Sequence, residues 1–233
     1  QDNNFANVDT IHPTKFQGYS LSYEIEQHTL NRKQFASAGH YFLIKVRYVN
    51  GVEKSVAGNT SQIPFDAVKT HNWITFSADF QTFPVTTKNF SLGFQGKFVV
   101  NSQSLFSNYT ASMLAMTAFT PIPDMGTYFM KEYRSPQYIG FGTNLVVTFL
   151  KNFEWRADLF YFQPFRTIIL SEDGTFGYGK PFKGDSYILS SSVIYNSPIG
   201  PLRGTINYFP QQPQRINIGL SFGYILFNKR AIR

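Results

Sequence analysis

Read two residues at a time, the stretch Arg215–Phe227 separates into two rows. Ile216, Ile218, Leu220, Phe222, Tyr224 and Leu226 fall on one side, and Asn217, Gly219, Ser221 and Gly223 on the other. Side chains of a strand alternate between faces, so the stretch predicts one strand with an apolar wall and a small, polar wall. Six large apolar groups in a row need an apolar surrounding, and the opposite row has nothing with which to pack a core. A strand between lipid and a polar lumen fits this pattern. A half-buried strand of a soluble sandwich gives it too, so the test is repetition along the chain.

The alternation does repeat. Gln1–Thr14 is polar and reads as loop. Tyr19, Leu21, Tyr23 and Ile25 alternate with Ser20, Ser22, Glu24 and Glu26, and after the polar connection His28–Gly39 come Phe42, Ile44, Val46 and Tyr48 against Lys45 and Arg47. Asn50–His71 reads as a long polar loop. Ile74, Phe76, Ala78 and Phe80 then alternate with Asp79 and its polar neighbours. Pro84–Asn89 reads as a turn, and Phe90–Val100 as a strand with Lys97 on its polar face. Asn101–Pro136 is irregular. Tyr109–Phe119 has a strand-like composition but a poor period of two, and Pro121, Pro123 and Gly126 break the chain after it. Regularity resumes in Ile139–Phe149, which the minimal turn Lys151-Asn152 joins to Trp155–Tyr161 with Glu154, Arg156 and Asp158 opposite. Pro164–Asp185 is a second long loop. Tyr187–Tyr195, the turn Asn196–Pro201, Leu202–Tyr208 with Arg203 on its polar face, the turn Pro210–Gln214 and the terminal strand complete about nine strands.

The connections supply a second test. If the last strand ends on the inner side of an outer membrane, His28–Gly39, Pro84–Asn89, Lys151-Asn152 and Asn196–Pro201 are periplasmic. Asn50–His71, Asn101–Pro136, Pro164–Asp185 and Pro210–Gln214 are then outside. Short inside and long outside is the asymmetry of outer-membrane barrels. It holds only if Tyr109–Phe119 does not cross, which places that segment in the loop. An odd number of strands leaves edges that lipid cannot satisfy. Either one strand is unrecognised or the chain is the C-terminal part of a larger barrel. Trp73, Trp155, Tyr48, Tyr195 and Tyr208, near strand ends, are expected in interfacial aromatic girdles.

Composition agrees with this reading. Of 233 residues, 18% are aromatic, with 25 Phe and 14 Tyr, and only 15% are charged. Mean hydropathy is nevertheless slightly negative, and no apolar run reaches the ~18 residues of a transmembrane helix. A barrel whose every second residue meets lipid has this combination. The absence of Cys excludes a disulfide scaffold and a Cys-based metal site. The net charge of +7 is scattered rather than clustered, which argues against a nucleic-acid partner. No secretion signal is visible, so Gln1 is read either as a mature terminus or as a cut within a longer chain.

Several stretches resemble one family. Glu26–Phe35 followed by Gly39 is similar to the inner-side hairpin of the BamA-type outer-membrane barrel superfamily. Asn196-Ser197-Pro198-Ile199-Gly200-Pro201-Leu202-Arg203 is similar to the S-P-x-G-P-L-R turn before the last two strands of those barrels. Asn217, Gly219, Phe222 and Tyr224 match the polar-x-Gly-x-x-aromatic-x-aromatic signal read by the barrel-assembly machinery. Pro121-Ile122-Pro123, Tyr133-Arg134 and Phe162-Gln163-Pro164 look most like the C-terminal barrel of a bacterial patatin-like phospholipase. The resemblance spans nearly the whole chain through short motifs. It implies sixteen strands with about seven upstream of this chain, a functional loop before the last five, and Arg134 as that loop's lumen-anchoring arginine. It also implies location in a Gram-negative outer membrane. The implied partners are lipid, lipopolysaccharide, the assembly machinery and other outer-membrane proteins. The chain lacks the V-R-G-F form of the loop and runs past Tyr224 into Asn228–Arg233.

Candidate chemistry is sparse. No G-x-S-x-G nucleophile elbow occurs, and Asp173-Gly174-Thr175 reads as a turn before it reads as a catalytic Asp-Gly pair. Gly174-x-x-x-x-Gly179-Lys180 approaches a P-loop, but Pro181 stands where Mg²⁺ needs a hydroxyl. His12, His28, His40 and His71 lack helical metal spacing and are expected to be exposed. No cofactor and no catalytic residue is assigned. The informative charges are Glu24, Glu26, Lys45, Arg47, Asp79, Lys97, Glu154, Arg156, Asp158 and Arg203, expected on a solvated lumen wall and paired by sign across neighbouring strands. The expectation is therefore an all-β, antiparallel transmembrane barrel over residues 1–233 with a long loop at 101–136. It would act as the membrane anchor or translocator of a patatin-like phospholipase-type protein. The alternatives are a complete small barrel serving as a channel or structural protein, and a barrel enzyme acting on lipid. The last would need a Ser, a His and a polar partner converging at one rim.

Overall fold

The computed structural model describes residues 13–56, 66–172 and 174–223. Tyr224, Leu226, His12 and Asp173 lie outside these residues. Nine strands form one antiparallel sheet: β1 (Thr14–His28), β2 (His40–Ser55), β3 (Ala67–Thr86), β4 (Phe90–Asn101), β5 (Gln137–Leu150), β6 (Phe153–Pro164), β9 (Ser186–Ser197), β10 (Gly200–Tyr208) and β11 (Ile216–Phe222). Their spatial order follows the chain. Two three-residue strands, β7 (Ile168–Leu170) and β8 (Phe176–Tyr178), make a separate hairpin inside the 165–185 connection. Among the described residues β1 and β11 each pair on one side only.

The strands are longer than alternation predicts. Asn50–His71 is not a loop throughout: β2 runs on to Ser55, and β3 starts at Ala67. In this protruding part the buried inward positions include Glu53, Ser55 and His71. Polar residues on both faces erase the hydrophobic period that marks the rest of the strands. Pro84 is likewise in β3 rather than in a turn. The register with β4 slips between Thr82 and Val85, and such a bulge accommodates a residue that cannot donate to the ladder.

Tyr109–Ala115 is a helix, α1. Asn108 caps it by accepting from the backbone N–H of Thr110 at 2.7 Å and of Ala111 at 3.3 Å. This segment belongs to the 102–136 connection and adds no strand to the sheet. The same connection holds two 3₁₀ turns, Pro123–Gly126 and Lys131–Tyr133, and an isolated bridge between Ala118 and Arg134.

The two faces of the sheet differ along its whole width. On the outer face, register partners form apolar rows, such as Phe90–Val147–Trp155–Val193 and Tyr23–Val46–Phe76–Val100. These rows have no cover: Leu21 is 74% exposed on β1 and Leu220 is 80% exposed on β11. The inner face is covered by two connections from opposite ends of the sheet, 29–39 and 102–136. Beneath 102–136, Val99, Tyr138, Phe160, Phe162 and Ile188 pack against Phe119, Ile122, Met125 and Tyr133. Trp73 is buried inside with Val49 and Phe106, not in an outer girdle, whereas Trp155 and Tyr48 are on the outer face.

Glycines make room for this packing. A Cβ on Gly140 would lie 2.3 Å from the Phe119 ring. Phe119 in turn stacks on Phe162 with centroids 5.7 Å apart. Overpacking costs about 1–3 kcal/mol. Gly140→Ala is therefore expected to loosen the 102–136 connection and to raise the rate of trypsin cleavage after Lys131 about tenfold, since cleavage follows the population of the open form. Gly177→Ala, where a Cβ meets nothing within 4 Å, should leave that rate unchanged.

Candidate functional site

The polar positions of the inner face form two groups of different character. On β1–β4 the expected pairs are in register: Lys45 Nζ lies 2.6 Å from Glu24 Oε1, and Lys97 Nζ lies 3.1 Å from Asp79 Oδ1. Glu26 faces Leu43 and Arg47 faces Ser22, so these two charges are not opposite one another. The side chains of both pairs keep between 19% and 29% of their surface open. Pairs this wet contribute well under ~1 kcal/mol each.

On β5, β6, β9 and β10 the polar residues are not solvated. Glu154, Arg156, Asp158, Arg203, Asn144 and Asn207 are all buried. The wall expected to be wetted is here roofed by the two connections, and arginines carry most of the contacts. Arg156 donates from Nε to Asp158 Oδ1 at 3.0 Å and from Nη1 to the Ala36 carbonyl at 2.8 Å. Asn144 donates to the same Asp158 oxygen at 2.7 Å. Arg32, at the tip of 29–39, reaches Glu154. Arg203 donates from Nη1 to Asp124 Oδ2 at 2.6 Å and from Nη2 to Thr205 Oγ1 at 3.0 Å. Its guanidinium also lies 5.1 Å from the centre of the Phe35 ring. Arg32, Arg156 and Arg203 thus balance Glu154, Asp158 and Asp124, three against three. Charge balance with extra hydrogen bonds is the condition under which ions are tolerated away from water.

Arg203 is the junction of this group. It alternates out of the apolar row of β10 onto the inner face, where Asp124 of one connection and Phe35 of the other meet it. Phe35 has a φ of 55°, a left-handed conformation that costs a residue of this size about 1 kcal/mol or more. A cavity of about 160 Å³ remains between the connections, bounded by Gln34, Gln95, Pro121, Asn144, Asp158 and Arg203. Asp124 carries no alternation signal, being in the irregular segment, so its role is not legible from spacing.

Arg134 is buried within the 102–136 connection itself. Its Nη1 donates to the carbonyls of Met116 at 3.0 Å, Leu114 at 3.4 Å and Met113 at 3.5 Å, and its guanidinium lies over Phe129. It closes the C-terminal end of α1, where free carbonyls favour a cation. The ion pair from this connection to the sheet wall is made by Asp124, with Arg203. Nearby Tyr133 is pushed up to about 12 by burial, so its hydroxyl stays protonated. It donates to the Tyr187 carbonyl and accepts from Ser186.

Asn217 and Gly219 share one face of β11 and Phe222 is on the other, with Asn217 opposite Asn207 and Gly219 opposite Thr205; Tyr224 lies outside the described residues. Gly174, with φ of 77°, sits in the β7–β8 turn and its N–H donates to the Ser171 carbonyl, so this glycine marks a hairpin turn. The Gly179-Lys180 segment follows β8 without a helix, unlike a P-loop.

His71 departs furthest from expectation. It is 3% exposed, inside β3 rather than in a loop. Its Nε2 is 2.7 Å from Glu53 Oε2 and its Nδ1 is 2.9 Å from Ser104 Oγ. Glu53 and Ser104 carry no motif by which spacing could find them.

No protein-family model matches this chain, and neither a characterised protein nor a solved structure matches it.

Proposed function

We propose that this chain is part of an outer-membrane β-barrel of the BamA type, most like the barrel of a patatin-like phospholipase, and that it anchors an attached domain in the membrane. The observation that carries the reading is the outer face. Apolar side chains stand uncovered on all nine strands of the sheet, from Leu21 on β1 to Leu220 on β11. Such a surface far exceeds the few hundred Å² of apolar patch that soluble proteins leave in water. The inner face carries the polar residues and the covering connections, as a lumen and its plugs would.

The edges extend the reading. A sheet in lipid needs every backbone group paired, and β1 and β11 each have one free side among the described residues. Further strands, about seven on the superfamily pattern, would close it. Because Tyr109–Ala115 is helical, that segment does not supply the strand that a complete small barrel would need.

Two measurements test this. The native polypeptide from purified outer membranes should have an intact mass well above the 26.6 kDa of this chain. A mass near that value would replace the translocator reading with a complete small barrel. The purified protein should also require detergent; solubility without it would remove the membrane reading altogether.

A further inference from the structure

Three side chains from separate parts of the chain converge at the protruding end of β2 and β3. Glu53 is wholly buried on β2, His71 is buried on β3, and Ser104, two residues beyond Ser102 in the 102–136 connection, is exposed. The chain of contacts runs from Glu53 Oε2 to His71 Nε2 at 2.7 Å and from His71 Nδ1 to Ser104 Oγ at 2.9 Å. The second oxygen of Glu53 accepts the backbone N–H of Ser107 at 2.7 Å, which fixes the carboxylate and the start of the connection together. Phe106, with its centroid 4.8 Å from that of the imidazole, and Phe16, at 6.4 Å, pack against the His71 ring. Beside Ser104 opens a cavity of about 270 Å³, bounded by Gln103, Gln137, Phe165, Arg166 and Tyr178.

We propose that Ser104, His71 and Glu53 form a hydrolytic site for carboxylic esters that carry a nearby negative group. A carboxylate that takes the Nε2–H leaves the Nδ1 lone pair free to accept the serine proton, so the imidazole is held in the tautomer a general base needs. Only the serine is open to solvent, as a nucleophile must be, while the base and its positioning carboxylate are dry. In the first half-reaction Ser104 Oγ bonds to the ester carbonyl carbon and its proton passes to His71 Nδ1. The tetrahedral adduct collapses, the ester C–O bond breaks, and the departing alcohol takes that proton. Water then repeats the sequence on the acyl-serine, releasing the acid and restoring Ser104. Phe165 and Arg166 both line the cavity, with the guanidinium 5.3 Å from the centre of the Phe165 ring, and this pairing would select for an apolar portion beside an anionic one. The site is at the end of the sheet from which the long connections leave, so its substrate arrives from that side. This activity goes beyond anchoring, and its three side chains all lie among the described residues.

The test uses the full chain in dodecyl maltoside micelles. A fluorophosphonate probe should add once, at Ser104, by intact mass and peptide mapping, and the adduct should vanish in Ser104→Ala; an unlabelled wild-type protein overturns the proposal. The chain has no cysteine, so Ser104→Cys and Ser102→Cys each carry a single thiol. At pH 6 the Ser104→Cys thiol, paired with His71, should alkylate with iodoacetamide about tenfold faster than the exposed control, because pairing with an imidazolium favours thiolate. Equal rates would mean a merely structural contact and overturn the proposal. Hydrolysis of phosphatidylglycerol vesicles identifies a membrane lipid as substrate, and hydrolysis of p-nitrophenyl succinate alone identifies a soluble anionic ester. Turnover of neither overturns it.

Discussion

Arg203→Met is expected to release both inner connections at once. The wild-type guanidinium meets Asp124 at 2.6 Å, Thr205 at 3.0 Å and the Phe35 ring at 5.1 Å, and Arg203 is only 1% exposed. Methionine fills similar volume but leaves the Asp124 carboxylate, itself mostly buried, without its cation. Breaking a buried pair in this way costs about 3–5 kcal/mol, because the remaining charge has lost the partner that offset its desolvation. The urea midpoint of the protein in micelles should fall accordingly. Trypsin cleavage after Lys33 and after Lys131 should rise together, since one residue holds both segments. A rise at only one of these lysines would show that Arg203 does not link them. Adding Asp124→Leu should recover much of the loss, as removing both members of a buried pair is far less costly than removing one. Lys45→Met, at the wetter Lys45–Glu24 pair, should change the midpoint by less than ~1 kcal/mol equivalent.

The contrast between these two pairs shows which parts of the molecule are legible in the sequence. A period of two assigns each strand residue to a face, and it places Glu24, Lys45, Asp79, Lys97, Arg156, Asp158 and Arg203 on the inner side of the sheet. It says nothing about what lies over that face. Phe160 and Phe162 continue the polar row of Arg156 and Asp158, and only the packing of Phe119 and Tyr133 upon them shows why. Similarly, Trp73 looks like an interfacial residue until Phe106 is seen to cover it. The Glu53–His71 pair escapes for a related reason. Polar side chains on both faces of a strand cancel the signal that defines it, so the ends of β2 and β3 read as loop. Asn108 does mark the start of α1 in the manner of a cap, but a helix of seven residues offers too short a period to outweigh aromatic composition.

Leu159→Arg is expected to separate a lipid-facing sheet from a water-facing one. Leu159 stands in the middle of β6, 49% exposed, in an outer row with Leu189 on one side and Thr143 on the other. In a barrel folded into phosphatidylcholine vesicles, arginine at mid-depth should cost about 2–4 kcal/mol, read from the shift of the urea unfolding midpoint. The cost should depend on depth. Phe149→Arg, at the end of β5 beside the turn at 151–152, should cost only about 0–1 kcal/mol, because the longer side chain reaches the headgroups. On a sheet whose outer face met water, an exposed leucine could be changed to arginine within about 0.5 kcal/mol at either height. Equal, small costs at both positions would therefore sink the membrane reading. Equal, large costs would point to a protein partner, since a packed interface penalises a charge wherever it excludes water. Only the graded outcome fits hydrocarbon bounded by two polar surfaces. That outcome would also explain why alternation is clean over the middle of these strands and fails at the extended ends of β2 and β3.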